Sequence, residues 1–168
     1  MNNLSTNNSK ELIFKSAFSF FNNPFKDIDL KDIKKAKEIL SEIEQWEIKY
    51  SGREYSTLKN SSILTAYLSY QFGQSLQFSN KELSNVYISG LVHNIGKLYI
   101  SDNFEESFRL YSSPLKPGEK GFSKISKAFK NFPQLTKEYL EKNTKFNIEI
   151  VETATTYHSI HSRLFKHG

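Results

Sequence analysis

The spacing of apolar residues constrains this chain most, because in nearly every segment it follows a helical rather than a strand period. The clearest case is Ile33, Ala36, Leu40, Ile43 and Trp46, which fall on one face of a helix. Asp29 stands where it can cap that helix and Gly52 breaks the chain after it. Upstream, Ile13, Phe14, Ala17, Phe18 and Phe21 predict a first helix, capped by Ser9 and stopped by Asn22-Asn23-Pro24. A third helix is expected from about Thr57 to Ser75. Ser79 and Glu82 have the form of a capping box, since each can satisfy the other's backbone donor. The helix they open carries Leu83, Val86, Tyr87, Gly90 and Leu91 on one stripe and should end near 94–96. The polar stretch that follows reads as an exposed loop marked by Pro114 and Pro117-Gly118. A short helix is expected over 122–129. Pro133 then opens another over 134–142, and a last helix places Ile148, Val151, Thr155 and His158 on one face. The expected fold is all-α, a single domain of about seven or eight helices without internal repeats.

Composition narrows the classes further. An aromatic content of 14%, with 14 Phe and 9 Tyr, excludes a disordered chain. Seven Gly and four Pro argue against collagen-like or low-complexity architectures. No apolar run approaches the roughly 20 residues of a membrane-spanning helix. The polar, Asn-rich start shows no signal peptide, and the absence of Cys removes disulfides and Cys-ligated zinc. Both fit a cytoplasmic protein. The net charge of +5 is uneven: between 116 and 145 eight Lys stand against three Glu. Lys120, Lys124, Lys127 and Lys130 fall on or near one face if that segment is helical. This basic face reads either as a solvated helix surface or as an attractor of an anionic nucleotide or nucleic acid. With three Arg in all, bidentate phosphate or base recognition has little to work with, so nucleic acid is not the expected partner.

All four His, at 93, 158, 161 and 167, lie in the second half. His93-Asn94 ends an apolar helix and is followed by Ile95-Gly96-Lys97, so His93 can serve as a metal ligand or as a structural helix end. The string Gly90-Leu91-Val92-His93-Asn94-Ile95-Gly96-Lys97-Leu98-Tyr99-Ile100 resembles the HD-domain signature. More specifically, the chain resembles an HD-GYP domain, the helical fold of metal-dependent cyclic di-GMP phosphodiesterases. Lys116-Pro117-Gly118 is similar to the family's loop after the HD helix, Phe132-Pro133-Gln134-Leu135 to its His-Pro step, and Tyr157-His158-Ser159 to its His-His-Glu. The resemblance covers roughly 25–162, with the HD-related output domain as the close alternative. It implies a two-helix extension at 1–50 and a degenerate HD-GYP-like domain at 51–168 that stops short of the glycine-tyrosine-proline motif.

The departures from the family pattern fall on the metal ligands. The first ligand His corresponds to about Ser61, the bridging Asp to Asn94, the His of the His-Pro step to Phe132, and the first His of the His-His pair to Tyr157. His93, Asn94 and His158 remain as a remnant metal set, and Lys97 as a remnant phosphate contact beside the reading of an exposed cation. Two cations held close together need a charged bridging carboxylate and several imidazoles. The expectation is therefore a domain without cofactor that binds a protein partner in bacterial signalling, dimerises through its first two helices, or senses a cyclic dinucleotide. The alternatives are a residual phosphohydrolase using a divalent Mn- or Fe-type metal between the fourth and last helices, and a nucleotide or nucleic-acid binder using the basic face. Tyr157 and Phe132 are expected to fill the metal cavity with ring volume.

Overall fold

The computed structural model describes the backbone of residues 3–113 and 116–164, and the side chains of 8–113, 116–127 and 129–156. In chain order the helices are α1 (Asn3–Asn22), α2 (Leu30–Ser51), α3 (Thr57–Ser75), α4 (Asn80–Val92), α5 (Phe104–Tyr111), α6 (Phe122–Asn143) and α7 (Ile148–Leu164). A 3₁₀ helix, Ile95–Tyr99, links α4 to α5. Among the described residues there is no strand, and the all-α expectation holds.

Helix α4 is the axle of the fold. The segment 83–96 contains no Asp, Glu, Lys or Arg, and in the structure it is buried except for a half-exposed Val86. A helix without charge on any side can be enclosed on all sides, so the single stripe read from the sequence understates its burial. Its partners are α3, α2 and α7. The Ser79–Glu82 capping box opens it as expected. Toward α7 the contact is polar: the Ser89 hydroxyl meets the carbonyls of Asn85 and Ile150, and the Asn85 amide donates to Glu149 at 2.6 Å.

The second helix matches its sequence reading. Asp29 accepts from the backbone N–H groups of Lys31 and Asp32, and Ile33, Ala36, Leu40, Ile43 and Trp46 are buried. Gly52 ends it at a φ of 68°, a left-handed conformation that glycine adopts without steric cost. These residues share one hydrophobic cluster with Ala17, Ala66, Tyr87, Leu140 and Ile150, so α1 and α2 contribute to the same core as the later helices.

Four readings are corrected. Helix α1 begins by Asn3, so Ser9 lies inside it rather than at its start, and Ile13 and Phe14 are exposed while Ala17 is buried. Part of the polar loop is α5, whose signals were local: Asn103 accepts from the Glu106 N–H, Glu105 and Glu106 sit in the first turn, and Arg109 sits in the last. Trp46 fixes α5 by donating from Nε1 to the Phe104 carbonyl at 2.9 Å. The two helices expected around Pro133 are one continuous α6 with Pro133 inside. Proline removes one helical donor, but Phe132 and Thr136 on either side are buried, and that packing keeps the helix going. In α7 the buried stripe is Ile150, Val151 and Ala154, whereas Ile148 is exposed.

Two glycines set how closely helices approach. A Cβ on Gly90 would lie 2.5 Å from the Ala66 Cα on α3, and one on Gly96 would lie 2.3 Å from the Phe132 carbonyl. Both obstacles are backbone, so neither can rotate away. Gly90→Ala should destabilise the fold by about 3 kcal/mol, a loss of roughly 10 °C in melting temperature for a chain of this size. Thermal unfolding followed by circular dichroism measures it.

Candidate functional site around His93 and Asn94

Helix α4 ends at Val92, and the backbone then tightens into the 3₁₀ turn through His93 and Asn94. Thr136, buried on α6, holds this turn from the side. Its hydroxyl donates to the His93 carbonyl at 3.2 Å and accepts from the Gly96 N–H at 3.1 Å. Only glycine fits at position 96, because a Cβ there would also meet the Thr136 Oγ1 at 2.4 Å.

His93 is 7% exposed, and its Nδ1 lies 2.7 Å from the Gly90 carbonyl. A carbonyl only accepts, so Nδ1 carries the proton. Burial pushes the His93 pKa down to about 4, against a smaller upward effect of the Gly90 bond and with help from the nearby Lys97 charge. The ring is neutral at physiological pH. Asn94 is 1% exposed. Its Nδ2 donates to the Ser62 Oγ at 2.9 Å, while its Oδ1 has no hydrogen-bond partner. The residue facing Asn94 from α3 is thus Ser62, whereas Ser61 is exposed.

Lys97 is half-buried rather than an exposed cation. Its Nζ lies 5.2 Å from the Tyr111 ring centre and 5.4 Å from that of Phe132. Burial lowers its pKa to about 8, and the Glu47 carboxylate works in the opposite direction. Glu47 itself is buried on α2. It accepts from the Ser56 hydroxyl at 2.6 Å, the Leu58 N–H at 2.8 Å and the Thr57 hydroxyl. One carboxylate thus caps α3 and supplies the negative field behind Lys97.

Phe132 is buried with its ring beside Lys97 and Phe129. The side chains of Tyr157, His158 and His161 lie outside those described, as does His167 altogether. Lys124, Lys127 and Lys130 are exposed on α6, with Lys124 paired to Glu106 at 2.9 Å, and Lys120 precedes the helix. Sequence reasoning missed Ser62, Thr136, Glu47 and Tyr111. Of these, only Ser62 carried a signal, as the neighbour of the position aligned with the first ligand.

A helix uncharged from Leu83 onward leads into His93-Asn94, is clamped to a later helix, and is followed by a half-buried Lys97. The family model for the HD domain matches residues 60–167. The chain belongs to the HD-domain family. No curated protein and no solved structure matches the chain. The HD family places it in a superfamily of metal-dependent phosphohydrolases.

Among the described residues, the HD site does not supply the donor set of the two-metal centre that the HD-GYP resemblance implies. Asn94 offers a neutral amide oxygen, Oδ1, which carries no charge to bridge two cations, and His93 offers one buried imidazole. Phe132 supplies a hydrocarbon ring. Among the described residues no three His, Cys, Asp or Glu side chains converge. The two neutral donors among the described residues do not by themselves offset the repulsion between two divalent cations.

Two outcomes follow from this geometry. Because the folded His93 pKa lies below its unfolded value, the unfolded chain takes up the proton first as pH falls from 6.5 toward 4. Stability from neutral His93 is therefore full above 6.5 and lost through that window. His93→Gln should flatten the slope of unfolding free energy against pH between about 6.5 and 5.5, by up to about 1.4 kcal/mol per pH unit. Denaturant titration across that range reads it. Glu47→Gln should cost about 2 kcal/mol by weakening the α3 cap, and it should move the Lys97 pKa further down, as amine NMR titration would show.

Proposed function

We propose that this HD domain works by binding rather than by hydrolysis, as a degenerate HD-GYP-like module contacting a protein partner in bacterial signalling. The observation that carries the reading is the Asn94–Ser62 hydrogen bond, an amide where the HD-GYP resemblance sets the bridging carboxylate, donating to a hydroxyl one residue from the position it gives the first ligand imidazole. Phe132, whose ring packs against Lys97, supports it, since the HD-GYP resemblance sets the His of the His-Pro step at that residue. The Lys116-Pro117-Gly118 loop favours the HD-GYP relationship over the HD-related output domain. Lys97, with Glu47 behind it, remains the group best placed to meet a phosphate if a cyclic dinucleotide enters the site.

The deciding experiment is elemental analysis of the purified protein for Mn, Fe and Zn, paired with a cyclic di-GMP hydrolysis assay in added Mn²⁺. The expected result is substoichiometric metal and no turnover. Stoichiometric metal with turnover abolished by His93→Ala would overturn the reading. Asn94→Asp tests the same point through stability. It should place a buried carboxylate without a compensating cation, lower the melting temperature by several degrees, and regain little of that loss on addition of Mn²⁺.

A further inference from the structure

The outward face of α3 combines an uncharged stretch of sequence with a row of exposed apolar side chains. From 60 to 80, twenty-one consecutive residues carry no charge, between Lys59 and Lys81, in a chain that is 24% charged. On that face Leu68, Phe72 and Leu76 are 48%, 66% and 53% exposed. They are spaced four residues apart, at i, i+4 and i+8, and so stand in one row. Gln71 and Ser75 flank the row and are exposed. Core packing does not account for these side chains, because α3 buries Leu58, Ser62, Ile63, Ala66, Tyr70 and Gly73 instead.

We propose that this row is a dimerisation surface and that its occupant is the same row of a second copy. Two features select a second copy. The first is charge: each copy carries a net +5, so most pairings bring lysines together, whereas this face brings none of its own. On the adjoining α1, Lys15 and Glu11 neutralise each other at 2.7 Å. The second is the order of the residues. Leu68-Ser69 and Ser75-Leu76 are arranged symmetrically about Phe72. A two-fold axis through Phe72 with the helices antiparallel sets Phe72 against Phe72, Leu68 of one copy against Leu76 of the other, and Ser69 against Ser75. Such self-complementarity is what an isologous interface requires. Gln71 carries both donors and an acceptor, and the Ser75 hydroxyl, which donates to the Phe72 carbonyl at 2.7 Å, keeps lone pairs that can accept across the seam. The three apolar side chains expose on the order of 300 Å² per copy, which sets the contact in the weak, exchanging class of interfaces. This contact joins α3 to α3, whereas the sequence reading sets the pairing on the first two helices, and the Leu12→Lys variant separates the two.

Sedimentation velocity of the whole chain from about 10 µM to about 1 mM tests this, spanning the range expected for a small interface. The wild type should move from monomer toward dimer across the series. Phe72→Lys places two ammonium groups on the axis and should weaken association at least about tenfold, or about 1.4 kcal/mol, with the melting temperature unchanged. Leu76→Lys should weaken it similarly, whereas Leu12→Lys, an exposed apolar position on α1, should leave it intact. A wild type that stays monomeric at the highest concentration overturns the proposal and leaves the row to a different protein. Association that survives Phe72→Lys and Leu76→Lys, or falls equally with Leu12→Lys, also overturns it.

Discussion

The close approach of α3 and α4 at Ala66 and Gly90 is the constraint on which the other helices depend. Because glycine has no side chain, the two backbones touch, and α4 sinks into the middle of the domain. Sinking α4 demands that its surroundings be apolar or fully hydrogen-bonded, which is why no charged side chain occurs from Leu83 until Lys97. It also delivers His93 and Asn94 to a dry position at the end of the axle. The site is a product of the central helix, and the loops play little part in shaping it.

Around that end three different interactions hold the turn and its neighbours in place. Ser62 engages the Asn94 amide, Thr136 ties the turn to α6, and Glu47 balances Lys97 from across the interior. Each is a neutral or singly charged contact whose partner is also fixed by a helix. None needs an ion to hold its geometry. Phe132 then closes the space beside Lys97 with a ring that also meets Phe129.

Much of this was legible in the sequence, and the parts that were not have physical reasons. The α2 stripe, its Asp29 and Gly52 ends, the span of α3 and the Ser79–Glu82 box could be read because each rests on neighbouring residues. The His-Asn motif was visible for the same reason. What escaped depends on distant partners. Pro133 reads as a helix start until Phe132 and Thr136 are seen anchored to the 3₁₀ turn. Glu47 reads as one more surface carboxylate in a charged helix until the start of α3 is placed against it. Ser62 and Ser61 cannot be told apart until the rotation of α3 is known. The short α5 was overlooked even though its Asn103 cap and acidic first turn were local signals. Here the Pro and Ser punctuation after it dominated the reading.

The clasp made by Thr136 bears on how such a domain can change over time. In a site shaped by coordination, losing one ligand collapses the turn that carries the others, so the set is kept or lost together. Here a single hydroxyl holds both the carbonyl of His93 and the amide of Gly96, and it does so from within an unbroken helix. The grip is on backbone groups, so a change of side chain at a ligand position is felt as a packing and hydrogen-bonding cost at that position, and the course of the turn is set from α6.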